Sequence, residues 1–291
     1  MRLSFLYPAA LLFAVTSVFA QNIDSSGKLP RIFEARTYRQ RGLERYKAGE
    51  YEEAVKAFKQ AVDLRADYAE AYNDLGAAYE KLERHDEAIE AYRQAVRLKP
   101  GFANAHYNLG TAYYYRQRLP EAIDSLKRAL HLRPEYAWAH HNLGTVYFDL
   151  GRYAEAADSY QQALRYKPEW AEAYRQLAAA YAQLNRYADA IRALRRAVDL
   201  KPDYAEGHNS LGVAYYNSGQ YGKAANSFRQ AIRLRPDDAA AHFNLGVTNL
   251  ARREREAAHI EYQLLKFLDP VLAEKLYGGL TRGLVLKVND R

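Results

Sequence analysis

Ala103-Asn104-Ala105-His106-Tyr107-Asn108-Leu109-Gly110-Thr111-Ala112-Tyr113 returns 34 residues later as Trp138-Ala139-His140-His141-Asn142-Leu143-Gly144-Thr145-Val146-Tyr147. It stands 34 residues earlier as Ala71-Tyr72-Asn73-Asp74-Leu75-Gly76-Ala77-Ala78-Tyr79. Its small residue recurs at Gly42, Gly76, Gly110, Gly144, Ala178, Gly212 and Gly246, with every gap 34. A fixed period of this size marks a repeat array, and it governs how every other signal in the chain is read.

Windows that place residue 42 and its equivalents eighth run 35–68, 69–102, 103–136, 137–170, 171–204, 205–238 and 239–272. Numbered within a window, position 7 is Leu75, Leu109, Leu143, Leu177, Leu211 and Leu245, and position 11 is Tyr79, Tyr113, Tyr147, Tyr181 and Tyr215. Position 20 is alanine in all seven windows, from Ala54 to Ala258. Position 24 is large (Phe58, Tyr92, Leu126, Tyr160, Leu194, Phe228, Tyr262), and position 32 is proline from Pro100 to Pro270. Positions 4, 7, 8 and 11 share one helical stripe, and positions 20, 24, 27 and 28 share another, so each window predicts two helices. Small residues at 8 and 20 allow close helix approach, and the proline closes the second helix.

This pattern resembles the tetratricopeptide repeat, seven units in register. The resemblance implies an all-α fold: a right-handed superhelical solenoid of antiparallel helix pairs, here with a C-terminal capping helix. It also implies a groove lined by the first helices, towards which positions 2, 5, 6, 9, 12 and 13 point. Position 6 holds a run of short polar groups: Gln40, Asp74, Asn108, Asn142, Gln176, Ser210 and Asn244. Such amides can grip an extended backbone, and the run is similar to the groove asparagines of O-linked N-acetylglucosamine transferases, matched as asparagine at Asn108, Asn142 and Asn244. Position 12 carries Tyr46, Tyr114, Phe148 and Tyr216, and Trp138, Tyr107, His141 and Tyr115 add further aromatics. Clustered aromatics on a solvated face point to a contact surface; packing between units is the other reading. The candidate partner-binding residues are Asn104, Tyr107, Asn108, Thr111, Tyr114, Tyr115, Trp138, His141, Asn142, Thr145, Phe148, Asn209, Tyr216 and Asn244. The carboxylate-holding set of some family members falls on Arg39, Leu43, Asp74, Asn104 and Asn108, which do not match it, so docking of an acidic C-terminal tail is not implied.

Before the array, Met1–Ala20 pairs Arg2 with an apolar run and ends in Val18-Phe19-Ala20, small residues at the cleavage spacing. It reads as a secretory signal peptide cut after Ala20, with an uncleaved anchor as the alternative. Residues 21–34 read as a flexible lead. The chain has no cysteine, so it forms no disulfide, which suits a periplasmic or secreted location. After the array, Asp269-Pro270 opens a capping helix over 270–278, whose Val271, Leu272, Leu276 and Tyr277 are placed to cover the end of the stack. Gly278-Gly279 is the expected stop, and 279–291 a tail. For that tail the sequence leaves two readings open, disorder or docking as an extended segment.

The charge is +7, from 42 basic and 35 acidic residues among 291. Position 31 (Arg65, Lys99, Arg133, Lys167, Lys201, Arg235) and position 25 (Lys59, Arg93, Lys127, Arg195, Arg229) are basic and fall on the second helices. Two accounts compete. One is favourable interaction with helix C-termini; the other is a convex basic stripe making weak contact with an anionic membrane surface. Nucleic acid is not expected, because acidic residues alternate with the basic ones. His106, His140, His208 and His242 all occupy position 4, one per unit, too far apart to share a metal; they read as core-edge residues. No phosphate loop, nucleophile elbow or metal-spaced cluster is present. No catalytic residue, cofactor or metal is therefore assigned. The reading is a non-enzymatic, exported protein–protein interaction scaffold, with a substrate-presenting subunit of an enzyme such as a glycosyltransferase as the alternative.

Overall fold

The structure, a computed structural model of the chain, describes residues 31–282 and 287–288. The signal segment 1–20 and most of the expected lead lie outside the described residues. Fifteen helices follow one another, and no strand occurs among the described residues. They are α1 (Arg31–Lys47), α2 (Tyr51–Leu64), α3 (Ala69–Lys81), α4 (His85–Leu98), α5 (Ala103–Tyr115), α6 (Leu119–Leu132), α7 (Ala137–Asp149), α8 (Tyr153–Tyr166), α9 (Ala171–Gln183), α10 (Tyr187–Leu200), α11 (Ala205–Asn217), α12 (Tyr221–Leu234), α13 (Ala239–Ala251), α14 (Arg255–Leu268) and α15 (Pro270–Arg282). None is long and apolar enough to cross a membrane.

The chain divides into two compact units, Met1–Arg133 with repeats one to three and Pro134–Arg291 with repeats four to seven and the last helix. Within each unit the two helices of a repeat pack on each other, and the second helix packs on the next repeat's first. Successive first helices also touch, α1 on α3 and α3 on α5 in one unit, α9 on α11 and α11 on α13 in the other. The first helices therefore form the inner face of each unit.

The core falls where the period puts it. Phe58, Leu126 and Phe228 at position 24 are completely buried, and Tyr92 and Tyr160 nearly so. Each lies against the small residue at position 8: a Cβ added to Gly76 would sit 2.5 Å from Tyr92, and one added to Gly212 2.5 Å from Phe228. The position-11 tyrosines of repeats two to five are buried too, and an arginine from position 16 lies over each of these rings, Arg84 on Tyr79 at 4.7 Å and Arg118 on Tyr113 at 4.6 Å. The same arginines reach Glu87 and Glu121 at 2.7 Å. One periodic residue thus covers a buried ring and lies at the start of the second helix beside that helix's first-turn acid.

Every turn between the two helices of a repeat needs a left-handed residue at position 15. Gly49, Gly151 and Gly219 supply it with φ of 72–79°, and Glu83, Gln117, Asn185 and Arg253 with φ of 58–65°. The position-4 histidines close the opposite turn. Their Nε2 donates to the carbonyl of the preceding position-32 proline, His106 to Pro100 at 3.0 Å and His140 to Pro134 at 2.8 Å. Likewise His208 donates to Pro202 and His242 to Pro236, both at 3.0 Å.

Two expectations at the ends are corrected. Residues 31–34 of the expected lead are already helical. The last helix runs through Gly278 and Gly279 to Arg282. Two interior glycines cost helix stability of about 1 kcal/mol each, but Leu280, one turn beyond Leu276, is buried, and burial of an apolar side chain contributes about 1.5–3 kcal/mol. The end of the stack is covered by Ala273, Leu276 and Leu280, while Val271 and Tyr277, two of the expected covering residues, face solvent. The Arg255 guanidinium donates to the Leu280 carbonyl and ties the end of α15 to the start of α14.

Candidate partner-binding surface

The inner-face positions do not act alone: they pair across the repeat boundary. Position 6 of one repeat bonds position 5 of the repeat before it. Arg39 meets Asp74 at 2.6 Å, Asn108 Nδ2 donates to Asn73 Oδ1 at 2.9 Å, and Asn244 Nδ2 donates to Asn209 Oδ1 at 3.0 Å. His141 Nε2 donates to Gln176 Oε1 in the same register. The amide run thus stitches neighbouring first helices together. Burial pushes the Asp74 carboxyl up against the opposing pull of Arg39.

The position-12 aromatics are half-buried against position 17 of their own second helix. Tyr46 packs on Tyr51, Phe148 on Tyr153 and Tyr216 on Tyr221, with ring centroids 5.1–5.3 Å apart. Packing within the repeat therefore accounts for Phe148 and Tyr216. Thr111 and Thr145 are half-buried and donate back to the carbonyls of Tyr107 and His141. Thr145 also accepts from Tyr160, whose hydroxyl burial pushes up to about 12.

Two sequence-predicted aromatics stand clear of the core. In the first unit Tyr115 is 58% exposed and stacks on His85 at 5.6 Å, with Tyr114 beside it at 5.9 Å and Asn104 exposed on the same helix. In the second unit Trp138 is 47% exposed. Its ring lies 4.2 Å from that of Trp170, on which His141 stacks at 4.3 Å. Lys167 Nζ lies 4.4 Å above Trp138 and 4.6 Å above Trp170. Burial holds the His141 imidazole below the ordinary histidine value, the Asn142 and Gln176 bonds pull it back up, and the Lys167 charge lowers it further.

Lys167 is misplaced by the sequence reading, which puts position 31 on the outer surface. Position 31 reaches back to position 2 of its own repeat: Lys99 to Glu70 at 2.6 Å, Lys201 to Glu172 at 3.5 Å, and Arg235 to Glu206. Repeat four has Trp138 at position 2, so its cation meets a ring instead of a carboxylate. At position 25, Arg93 lies 3.9 Å from Glu90 and Arg229 bonds Asn226 at 3.1 Å. These pairings interrupt the expected basic stripe with acidic and amide partners. Trp170 was missed although its signal was present: position 34 is aromatic in Tyr68, Phe102, Tyr136, Trp170 and Tyr204.

The predicted residues differ in exposure. Asn209 and Asn244 are buried, whereas Tyr107, Asn108 and Asn142 are half-exposed. No group of three or more histidines and carboxylates placed to hold a metal occurs among the described residues.

Helix pairs at this period, stitched through their first helices, define a tetratricopeptide repeat protein. The chain belongs to the family described as the C-terminal domain of cilia and flagella-associated protein 70, whose model matches residues 9–242. Solved structures agree with the fold. A MamA protein is 27% identical with a TM-score of 0.55, over 60% of this chain and 94% of its own. PilF of Pseudomonas aeruginosa is 22% identical with a TM-score of 0.61, over 71% and 94%. YrrB, described as a tetratricopeptide protein with an unusual peptide-binding site, is 24% identical with a TM-score of 0.58, over 64% and 96%. No curated protein matches the chain.

Proposed function

We propose that the chain is an exported scaffold that holds a segment of another protein against the first-helix face of its repeats, within an envelope or secretion-related assembly, and that it performs no catalysis itself. The observation that carries this reading is Trp138, half exposed yet packed against Trp170, His141 and Lys167. An exposed ring that is already immobilised loses little conformational freedom when a partner covers it, which is how interface anchors gain their energy. Tyr115 offers a second exposed ring in the first unit. The peptide-binding site described for YrrB supports a like use of the fold here. Export rests on Met1–Ala20, and a mature protein beginning at Gln21, read by mass spectrometry of purified native material, is the expected form.

In-cell photocrosslinking tests the partner surface. p-Benzoylphenylalanine replaces Tyr115 or Trp138 in turn, with Gln162 on the outer helix α8 as control. The expected result is a discrete protein captured from the aromatic positions and not from Gln162. Equal capture at all three, or none at the aromatic pair, rejects the surface.

A further inference from the structure

The inner face of the repeats changes abruptly at repeat six. In repeats two to five, positions 5, 6 and 9 are all half-exposed: Asn73, Asp74 and Ala77, then Tyr107, Asn108 and Thr111, then the same places in α7 and α9. In repeats six and seven all six are buried: Asn209, Ser210 and Val213, then Phe243, Asn244 and Val247. A following first helix cannot be the cause, because repeat five is followed by one as well and its inner face stays half-open. The residue types change in the same place, to Val213 and Val247 at position 9 and Phe243 at position 5, so the wall turns apolar. Beyond α15 the chain is next described at Lys287–Val288, and there Val288 packs against two buried clusters, one that joins Phe243 and Val247 to Ala273, Leu276 and Leu280 of the cap, and one around Val213 and Leu245. Four residues separate Arg282 from Lys287, and the segment they belong to is Gly283-Leu284-Val285-Leu286-Lys287-Val288-Asn289-Asp290-Arg291, whose Leu284, Val285, Leu286 and Val288 match an apolar wall.

We propose that the inner face of repeats six and seven is a docking groove for an extended apolar segment, and that its occupant is the chain's own C-terminal segment, residues 283–291, seated through Val288. The Asn209–Asn244 bond forms the floor, and Val213, Phe243 and Val247 form the wall. An external partner is thereby confined to the inner faces of the earlier repeats unless it displaces this segment. The assignment stands independently of the Trp138 surface, since it uses neither that ring nor any external ligand.

The absence of native cysteine makes thiol reactivity a clean test in the full-length chain. Three single-cysteine variants are compared: Val213→Cys in the closed groove, Ala179→Cys at the same position of repeat five, and Leu276→Cys inside the cap. In the native background Ala179→Cys reacts fast, and Val213→Cys and Leu276→Cys slowly. Adding Val288→Asp raises the Val213→Cys rate by about tenfold or more, as expected when a local closing contact is lost, and leaves the other two unchanged. A synthetic peptide of residues 283–291 at millimolar concentration, comparable to what a short tether supplies, slows Val213→Cys again. The proposal is overturned if Val213→Cys reacts as fast as Ala179→Cys from the outset, or if Val288→Asp changes nothing. It is equally overturned if Leu276→Cys opens in parallel, which would make the segment part of the cap rather than a groove occupant, or if the peptide gives no protection.

Discussion

Gly212 and Phe228 show how one residue sets helix spacing. Gly212→Ala places a methyl 2.5 Å from the completely buried Phe228 ring. Overpacking of this kind costs about 1–3 kcal/mol, so a clear fall in the urea midpoint is expected. Repeat five already combines Ala178 with Leu194, so Phe228→Leu should recover part of the loss in the double variant; strictly additive effects would show that the two side chains do not compete for space. Trp138→Ala removes an exposed ring and one aromatic pair, costing about 1 kcal/mol of stability with helical content unchanged, while weakening partner capture. A collapse of the fold would place Trp138 in the core instead. His242 is a different case. Its Nε2 donates to the Pro236 carbonyl and its Nδ1 lies 2.6 Å from the Glu261 carboxylate, so both nitrogens act as donors and the charged form is favoured. The Glu261 bond is the main cause of its raised pKa. A raised folded-state value means the unfolded chain gives up the proton first as pH rises. The pair's stabilisation is therefore full below the ordinary value of 6.5 and lost as pH climbs through the raised value. The stability difference between the native chain and His242→Gln, followed by urea unfolding, should shrink on the alkaline side; a difference that grows with pH contradicts this.

At the scale of the element, the turn between paired helices tells most. Position 15 is left-handed in all seven repeats, yet three glycines share the task with Glu83, Gln117, Asn185 and Arg253. A Cβ at Gly151 would touch nothing, so Gly151→Ala isolates the backbone cost, about 1 kcal/mol. Arg253→Gly should relieve a comparable cost and raise the melting temperature; an unchanged or lower melting temperature would contradict this. The glycines 49, 151 and 219 fall on exact multiples of the period and made this turn partly legible, but the four other residue types hid it. Helix α15 was legible at its start, where Asp269 Oδ1 accepts from the Val271 and Leu272 amides at 2.9 and 3.0 Å. Its end was not, because glycine propensity is a local quantity and Leu280 is held by contacts made elsewhere.

At the scale of the whole molecule, a repeat array has no single core, and its stability is close to a sum over repeats and their interfaces. Among the described residues the first helix has a neighbour on one side only. Among its residues just Ala35 and Gly42 are buried, and Ile32 is half in solvent. Hydrogen exchange by mass spectrometry should find the α1 amides less protected than those of α3 and α5 in the same unit. Equal protection would mean that something covers this end of the array. At the other end α15 supplies the missing neighbour, so the α13 amides should be among the slowest of the second unit.

The sequence by itself determined the period, the two helices of each repeat and the side chains they bury between them, because those follow from spacing along a single helix. Leu109, Tyr113, Ala122 and Leu126 fall on stripes that no other arrangement could bury. The tertiary structure decided what the outward positions meet. Asn108 and Asn73 are 35 residues apart, and periodicity does not say that they bond each other rather than a guest. Lys167 left its expected place because Trp138 stands where repeats two, five and six carry glutamate. Asn244 was indistinguishable in pattern from Asn108 and Asn142. It differs in being buried, on a face where Val288, from outside the array, packs among its neighbours. A repeat pattern reports the face a residue shares with its own helix. The neighbour across that face depends on register between repeats and on chain beyond them, and only the folded molecule fixes it.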